Sequence, residues 1–343
     1  MKVKKMNIQQ RDGFTAIQMF PRKIHGLVRC YHEHGLYYTI NRLLTHLHIS
    51  SERDYAFYSA LPPEKYPREL KRWYRNTTGE KLNLNNPKTF NEKIQWLKLY
   101  DSTPLKTRLA DKYLVRDWVK EKIGEEHLVP LLGVWDSFDE IDFDKLPDQF
   151  VLKANHGSGW NIIVKDKSIF DKEEAKGKFD QWMHTNYAFV AGFELHYMSV
   201  PPKIMAEEYI EDLSTEYQYW CFNGQPKFIS CIQEPHGKNE KASYSLDFKL
   251  LDFITSAPAK PDGFEKPDFL DDMDSSTHLL CQSFTFVRVD YLSDGNHYYF
   301  GEITFTPASG LVGWKPEEYD KIIGEWMQLP KTTLIRSALL YGC

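Results

Sequence analysis

The segment that most limits what this chain can fold into is F-V-L-K-A-N-H-G-S-G-W-N-I-I-V-K, residues 150–165. Phe150, Leu152 and Ala154 alternate with Val151, Lys153 and Asn155, which is the period of a strand with two different faces. Asn161 to Val164 forms a second short run rich in β-branched residues. Between them, His156-Gly157-Ser158-Gly159-Trp160 carries two glycines. These allow the backbone to turn sharply and present its N–H groups outward. Such a concavity suits phosphate oxygens, and Lys153 stands as a fixed cation at its foot. No G-x-x-G continuation follows, and no G-K-[ST] opens a helix, so this is neither a dinucleotide fingerprint nor a Walker loop. The expectation is a glycine flap between two antiparallel strands. The turn chemistry alone equally describes an ordinary hairpin with a surface lysine.

The chain has 343 residues, room for two or three domains with ample core. A net charge of −5 gives no basic footprint for nucleic acid. The five cysteines, Cys30, Cys221, Cys231, Cys281 and Cys343, form no C-x-x-C pair, which fits a reduced cytoplasm. The basic start, M-K-V-K-K-M-N-I, lacks the apolar core of a secretory signal, and no apolar run is long enough for a membrane span.

Four units are expected: a helical N-terminal extension (1–72), a subdomain at 73–145, the flap subdomain at 146–210, and a C-terminal subdomain at 211–343. Ile24 to Ile49 reads as helical and carries His25, His32, His34, His46 and His48. Histidines two apart leave a helix on different sides, so a basic surface resting on a membrane face or a partner is favoured over a metal site. Thr89 followed by Glu92 resembles a capping box before the apolar face of Phe90, Ile94 and Leu97. Leu105 to Ile123 reads as one helix, with Arg108, Lys112, Arg116 and Lys120 as a basic ridge at a spacing of four. Asp136 to Asp148 reads as an acidic linker. Lys167 to His196 reads as one or two helices without assigned chemistry. Tyr244 to Asp274 reads as an inserted loop or lid.

Ile204 to Ile210 is an apolar strand ending in Glu207-Glu208-Tyr209-Ile210, and Glu216 to Phe222 is a second strand. Asn223-Gly224 turns the chain into a third. A strand end of this kind can meet a purine edge through its backbone while a carboxylate takes ribose hydroxyls; a salt-bridged strand end is the alternative. Phe284 to Gly310 contains R-V-D at 288–290 and G-E-x-T at 301–304, around the hairpin signal Asp294-Gly295. A two-residue loop would leave Asp290 and Glu302 on opposite faces. An odd loop, Ser293 to His297, would set Arg288 opposite Glu302 with Asp290 diagonal on the same face. Two carboxylates beside an arginine make an oxygen site for Mg²⁺, so the odd loop is expected; a surface ion pair is the alternative.

The ordered set D-K-x-x-x-R, lysine before a glycine flap, E-E-Y-I, R-V-D and G-E-x-T resembles an ATP-grasp enzyme. More narrowly, P-K-T-F-N-E-K-I-Q-W-L-K-L-Y, L-A-D-K-Y-L-V-R, L-P-D-Q-F-V-L-K-A-N-H-G-S-G and F-G-E-I-T-F-T-P-A-S-G resemble the TupA-like ATP-grasp family, named for teichuronopeptide biosynthesis. The likeness covers residues 73 to 330. It implies an α+β fold with ATP held between two antiparallel sheets. It implies that Arg116 and Lys153 meet the phosphates, with His156, Gly157, Ser158 and Gly159 in the flap. Glu207, Tyr209 and Ile210 would line the adenine pocket and Glu216 would take the ribose. Asp290 and Glu302 would hold Mg²⁺, and Arg288 would steady the transferred phosphoryl. Two departures stand out: Thr304 where many ATP-grasp ligases have asparagine, and Ala308 where glycine usually follows the proline.

The implied activity is an ATP-dependent carboxylate–amine ligase that joins an amino acid to a uronic acid or peptide part of a cell-surface polysaccharide. It would act in the cytoplasm, at the inner face of the membrane beside polysaccharide-assembly enzymes. A kinase acting on a glycan hydroxyl, or a glycan-assembly partner that binds nucleotide without turnover, stays open from sequence.

Overall fold

The computed structural model describes residues 51–233, 240–255, 259–260 and 262–330, with side chains from residue 54. The histidine-bearing 24–49 stretch lies outside the described residues.

Two antiparallel sheets organise the molecule. The smaller has the order β1-β4-β2-β3, from β1 (Leu131–Trp135), β2 (Phe150–Ala154), β3 (Asn161–Val164) and β4 (Ile204–Glu208). The larger has the order β10-β9-β5-β6-β7, from β5 (Thr215–Phe222), β6 (Gln225–Gln233), β7 (Glu240–Tyr244), β9 (Phe286–Ser293) and β10 (Tyr298–Thr304). Between β7 and β9 in sequence, β8 (Ile254–Thr255) pairs with β11 (Trp314–Lys315) as a short ribbon. Helices pack on both faces of the larger sheet: Phe90–Tyr100 on one and Leu270–Cys281 on the other.

Strand periodicity gives the small sheet a core face and a polar face, whereas the larger sheet is packed on both faces. Phe150, Leu152, Ala154 and Ala206 pack in one core that also holds Ala175 and Phe179 of the Lys172–Met183 helix. Tyr217, Tyr219, Cys221, Val287, Val289 and Tyr291 pack in another with Met273 and Leu280 of the Leu270–Cys281 helix. The opposite face of the larger sheet carries Glu216, Gln218, Arg288 and Asp290, with Gln218 paired to Asp290, and further along Trp220, Phe222 and Phe286, buried against Phe90 and Ile94 of the Phe90–Tyr100 helix. The β5–β6 turn places Asn223 (φ 50°) and Gly224 (φ 76°) both in the left-handed region, as a two-residue hairpin loop requires.

The capping box at Thr89 and Glu92 forms as expected. The single helix expected over Leu105 to Ile123 does not. Helices Pro104–Ala110 and Val115–Ile123 are separated at Asp111, whose carboxylate accepts the N–H groups of Tyr113 and Leu114. A short aspartate that binds the backbone just ahead of it competes with helix propagation. The basic ridge is thereby split, and Lys112 lies in the break.

Asp136 to Asp148 is not a linker. Phe138, Ile141, Phe143 and Leu146 point from short 3₁₀ turns into the small-sheet core, and β1 precedes them unforeseen. Between Lys167 and His196 there is one α-helix followed by short 3₁₀ turns. The lid expected over Tyr244 to Asp274 instead supplies β8, the buried Phe253, and the start of the Leu270–Cys281 helix. Among the described residues no helix is long and apolar enough to cross a membrane.

One buried group makes stability pH-dependent. His196 is 2% exposed, packed at 4.4 Å on the Tyr197 ring and edge-on to Phe305. Burial, with Lys106 and Lys98 nearby, lowers its pKa to about 3. Below pH 6.5 the unfolded chain takes up a proton that the fold refuses, so stability falls as pH drops towards 3, by up to about 1.4 kcal/mol per unit. His196→Phe keeps the aromatic packing and removes this linkage. Chemical denaturation at pH 6.5 and pH 5 should show the wild type losing about 2 kcal/mol more than the variant. Equal losses would refute the assignment.

Candidate active site

On β2 and β4 the register pairs Val151 with Glu207 and Lys153 with Met205, so all four share the face turned away from the small-sheet core. Lys153 Nζ donates to Glu207 Oε2 at 2.5 Å. Arg116, at the start of the Val115–Ile123 helix, donates to Glu207 Oε1 at 2.7 Å and to the Val129 carbonyl at 2.8 Å. Glu207 is 7% exposed. A buried carboxylate demands cationic partners, and here it has two, which leaves a surplus positive charge on this wall. The structure therefore ties Glu207 to the two cations. Ile163 and Leu131, exposed on the same face, supply apolar surface beside them.

The flap joins β2 to β3 as expected, closed by Ala154 N–H donating to the Trp160 carbonyl at 2.9 Å. Gly159 (φ 73°) takes the left-handed conformation, with open space where a side chain would lie. His156 is buried, its ring nitrogens 3.2 Å from Asn155 Oδ1 and 3.1 Å from the Trp182 carbonyl. Burial lowers its pKa, so it stays neutral and anchors the loop. A Cβ on Gly157 would lie 2.4 Å from the Trp160 ring. Gly157→Ala should therefore displace Trp160 and destabilise the protein by the ~1–3 kcal/mol typical of overpacking. Chemical denaturation with near-ultraviolet circular dichroism reads this, and unchanged stability with an unchanged aromatic spectrum would show that the loop has room for the methyl.

Across the cleft, Asp290 on β9 stands directly opposite Glu302 on β10, and Arg288 opposite Thr304. The expected odd loop is absent. Ser293 pairs with Tyr298 across a four-residue loop, Asp294–His297, whose even count would turn Glu302 to the other face. A β-bulge between Phe300 and Glu302, at Gly301, inserts the one extra residue that restores it. Glycine suits the bulge because a Cβ there would lie 3.1 Å from the Asp290 carbonyl oxygen.

Arg288 holds Asp290 bidentately, its Nε donating at 2.7 Å, and lies 3.8 Å from Glu302. Thr304 Oγ1 donates to Glu302 Oε1 at 3.0 Å. Burial pushes Asp290 up towards neutrality against the pull of Arg288. Burial also acts upward on Glu302, but Lys112 and Arg288 outweigh it and hold Glu302 below its ordinary value. The donor chemistry fits Mg²⁺, which takes one or two carboxylates and completes its shell with phosphate oxygens and water. Asp290 and Glu302 would supply those carboxylates, and among the described residues no third acid, histidine or cysteine converges with them. Glu216 lies on the same sheet face, accepting from Gln218 Nε2 at 2.9 Å.

Sequence reading left several groups out of the site. Lys112 donates to the flap carbonyl of Gly157 at 2.8 Å and lies 3.5 Å from Glu302, so one ammonium spans flap and carboxylates. Only its place in D-K-x-x-x-R hinted at this. Lys241, on β7, feels Arg288, Glu216 and Asp290, and burial lowers its pKa. Tyr209 is half-buried at the far end of β4, under Lys165, whose Nζ sits 5.7 Å from its ring. It lines an open hollow of about 750 Å³ with Gln149 and Glu208. Ile210 follows it, half-buried, just beyond the strand.

A small sheet with a cationic glycine flap, facing a larger sheet with paired carboxylates on adjacent strands, is the architecture of an ATP-grasp protein. The chain belongs to the TupA-like ATP-grasp family, whose model matches residues 92–328. Similar solved structures include an L-amino acid ligase from Bacillus licheniformis, 14% identical, covering 79% of this chain and 64% of that one with a TM-score of 0.43. D-alanine–D-alanine ligase from Bacillus anthracis, complexed with ATP, is 16% identical over 64% of this chain and 65% of that one, TM-score 0.37. N5-carboxyaminoimidazole ribonucleotide synthetase from Thermus thermophilus is 10% identical over 57% and 45%, TM-score 0.32. The chain thus spans less than two thirds of the length of each. Among curated proteins, none matches.

Proposed function

We propose that this protein is an ATP-dependent carboxylate–amine ligase that forms an amide through an acylphosphate. The observation that carries the reading is the bridge made by Lys112: it joins the flap carbonyl of Gly157 to Glu302, so flap and carboxylate pair border one cleft. In this reading Lys153 and Arg116 exchange part of their hold on Glu207 for phosphate oxygens. The flap N–H groups of Gly157, Ser158 and Gly159 cover the phosphates, with His156 fixing the loop. The strand end Glu207 to Ile210 borders the base, and Glu216 takes ribose hydroxyls. Asp290 and Glu302 would hold Mg²⁺, which supplies charge neutralisation at the phosphate oxygens when bound. Arg288, poised between both carboxylates, steadies the phosphoryl group in flight. Fixed charges aimed at developing charge supply most of the catalysis in such reactions.

The substrate carboxylate attacks the γ-phosphorus and ADP leaves. An amine then attacks the acyl carbon and phosphate leaves, with loss of the amine proton. Family likeness supports an amino acid as amine and a uronic acid or peptide part of a cell-surface polysaccharide as acceptor. It likewise supports a cytoplasmic site of action near polysaccharide-assembly enzymes at the inner membrane face.

The test is ADP release scored over uronic acids and amino acids with Mg·ATP, followed by hydroxylamine trapping. A hydroxamate is the expected product. ADP with a stable phosphate ester and no hydroxamate would replace this reading by a kinase. Mg·ATP binding without ADP would replace it by a non-catalytic nucleotide-binding partner.

A further inference from the structure

The cleft has another wall that the groups above do not use. It comes from residues 184–200, between the Lys172–Met183 helix and β4, where Tyr187 meets the flap's Trp160, and from the Thr306–Gly310 turn after β10, which Ser309 Oγ ties to Glu194 at 3.1 Å. Tyr187 packs edge-on to the flap's Trp160 at 5.1 Å and to Tyr197 at 4.9 Å. Its hydroxyl has Ser158 of the flap, Glu194 and Glu302 as polar and charged neighbours. Tyr197 has Glu302, Glu194 and Arg288 as charged neighbours. Burial pushes the Tyr187 phenol up to about 12 and Tyr197 well above its ordinary range, so both keep their protons and can donate.

A buried charged knot fixes this wall. Lys98, fully buried on the Phe90–Tyr100 helix, donates to the Ser309 carbonyl at 2.8 Å, Ser309 Oγ at 2.9 Å, Gln95 Oε1 at 3.1 Å and the Ala191 carbonyl at 3.2 Å. Glu194, 5% exposed, accepts from the hydroxyls of Thr306 and Ser309, the latter at 3.1 Å. Gln95 Nε2 donates to the carbonyls of Ser309 and Gly310 at 3.0 and 2.8 Å. The turn so gripped puts Ala308 (φ 48°), Ser309 (φ 55°) and Gly310 (φ 71°) all in the left-handed region. Non-glycine residues there are strained and persist only where their surroundings over-determine them. Burying a charge for a well-packed core alone is a poor bargain in stability. The knot joins three remote segments two residues beyond Thr304, and none of its groups touches Lys153, Arg116 or Asp290.

We infer that Tyr187 and Tyr197 line the subsite of the carboxylate substrate, and that Lys98 and Glu194 are positioning residues that set this wall against Glu302. The inference rests on the ligase reading. Two phenolic donors beside the carboxylate pair suit a substrate that must bring its own carboxylate to a phosphorus there. The phenols hydrogen-bond its oxygens without adding charge to the metal side.

The experiment uses the full chain and four probes: D-glucuronate, D-galacturonate, L-glutamate and D-alanine, each with Mg·ATP and hydroxylamine. The expected result is that Tyr187→Phe and Tyr197→Phe raise KM for the best probe about tenfold, the loss of one or two hydrogen bonds. Their Mg·ATP affinity should stay within about twofold of the wild type by calorimetry. Glu194→Gln, nearly isosteric, should shift carboxylate KM in the same direction with Mg·ATP affinity kept; Lys98→Met should do so if it folds by near-ultraviolet circular dichroism. Unchanged carboxylate KM in both tyrosine variants overturns the inference and leaves the ligase reading standing. A wild type that binds Mg·ATP but converts none of the four probes removes the ligase reading, and the inference with it. A wild type that does not bind Mg·ATP removes the ligase reading beneath it.

Discussion

Glu302→Gln is expected to cut ADP formation by about 10²–10³-fold, the cost of removing a preorganised charge-stabilising group, while the protein still folds. Glu302 is the better target of the two carboxylates. Its side chain is 34% exposed, whereas that of Asp290 is 3% exposed and clasped by Arg288. Asp290→Asn would strand a buried guanidinium, and breaking a buried pair costs ~3–5 kcal/mol. A drop in rate there could be a drop in folded protein. With Glu302→Gln, Arg288 keeps Asp290 and Lys112 keeps its bond to the Gly157 carbonyl. The measurement is initial ADP release against Mg²⁺ concentration, beside thermal unfolding. A variant with wild-type rate and wild-type Mg²⁺ dependence would take Glu302 out of the proposed metal site.

Lys153→Met should act from the other wall and be of similar size, again about 10²–10³-fold in ADP formation. Methionine keeps most of the lysine stem, and Glu207 keeps Arg116 at 2.7 Å, so the carboxylate is not orphaned. Unfolding should therefore shift by less than the ~3–5 kcal/mol of a broken buried pair. The contrast is Glu207→Ala, which leaves two cations facing each other and should harm stability more than Lys153→Met does. Calorimetry with Mg·ATP and steady-state ADP release on the same preparations separate binding from turnover. Full turnover in Lys153→Met would mean that its ammonium serves Glu207 alone.

Both walls hold their central charges in pairs: Lys153 and Arg116 of the small-sheet wall sit on Glu207, and Asp290 and Glu302 of the large-sheet wall sit by Arg288 and Lys112. On the proposed reading, a ligand would exchange these partners rather than meet bare buried charge, which lowers the desolvation cost of binding. Lys112 contacts both sides, so its side chain links the flap to Glu302.

What residues near in sequence decide was legible from the chain alone. The alternation from Phe150 to Ala154 specified a strand and its buried face, Thr89 and Glu92 specified a helix start, and Asn223-Gly224 specified a hairpin turn. Each depends on φ/ψ preference or on a period of two or four residues, and those operate within a few positions. Local signals also misled where they were weak. Arg108 to Lys120 kept a helical spacing through Asp111, where a side-chain bond to the backbone ended the helix.

Only the tertiary structure decided the rest. The face on which Glu302 lies depends on the parity of the whole β9–β10 pairing, and a single bulged glycine sets that parity. Glu207 meets Arg116 across 91 positions, and Glu194 meets Thr306 across 112. Such contacts follow from how the sheets and helices pack, not from any pattern within one segment. The chain by itself carried the residue types of the site and the strands that bear them. Which charges face one another, and the tyrosine wall between 184 and 200, came from packing, because a charge selects its partner by distance in space and by exclusion of water.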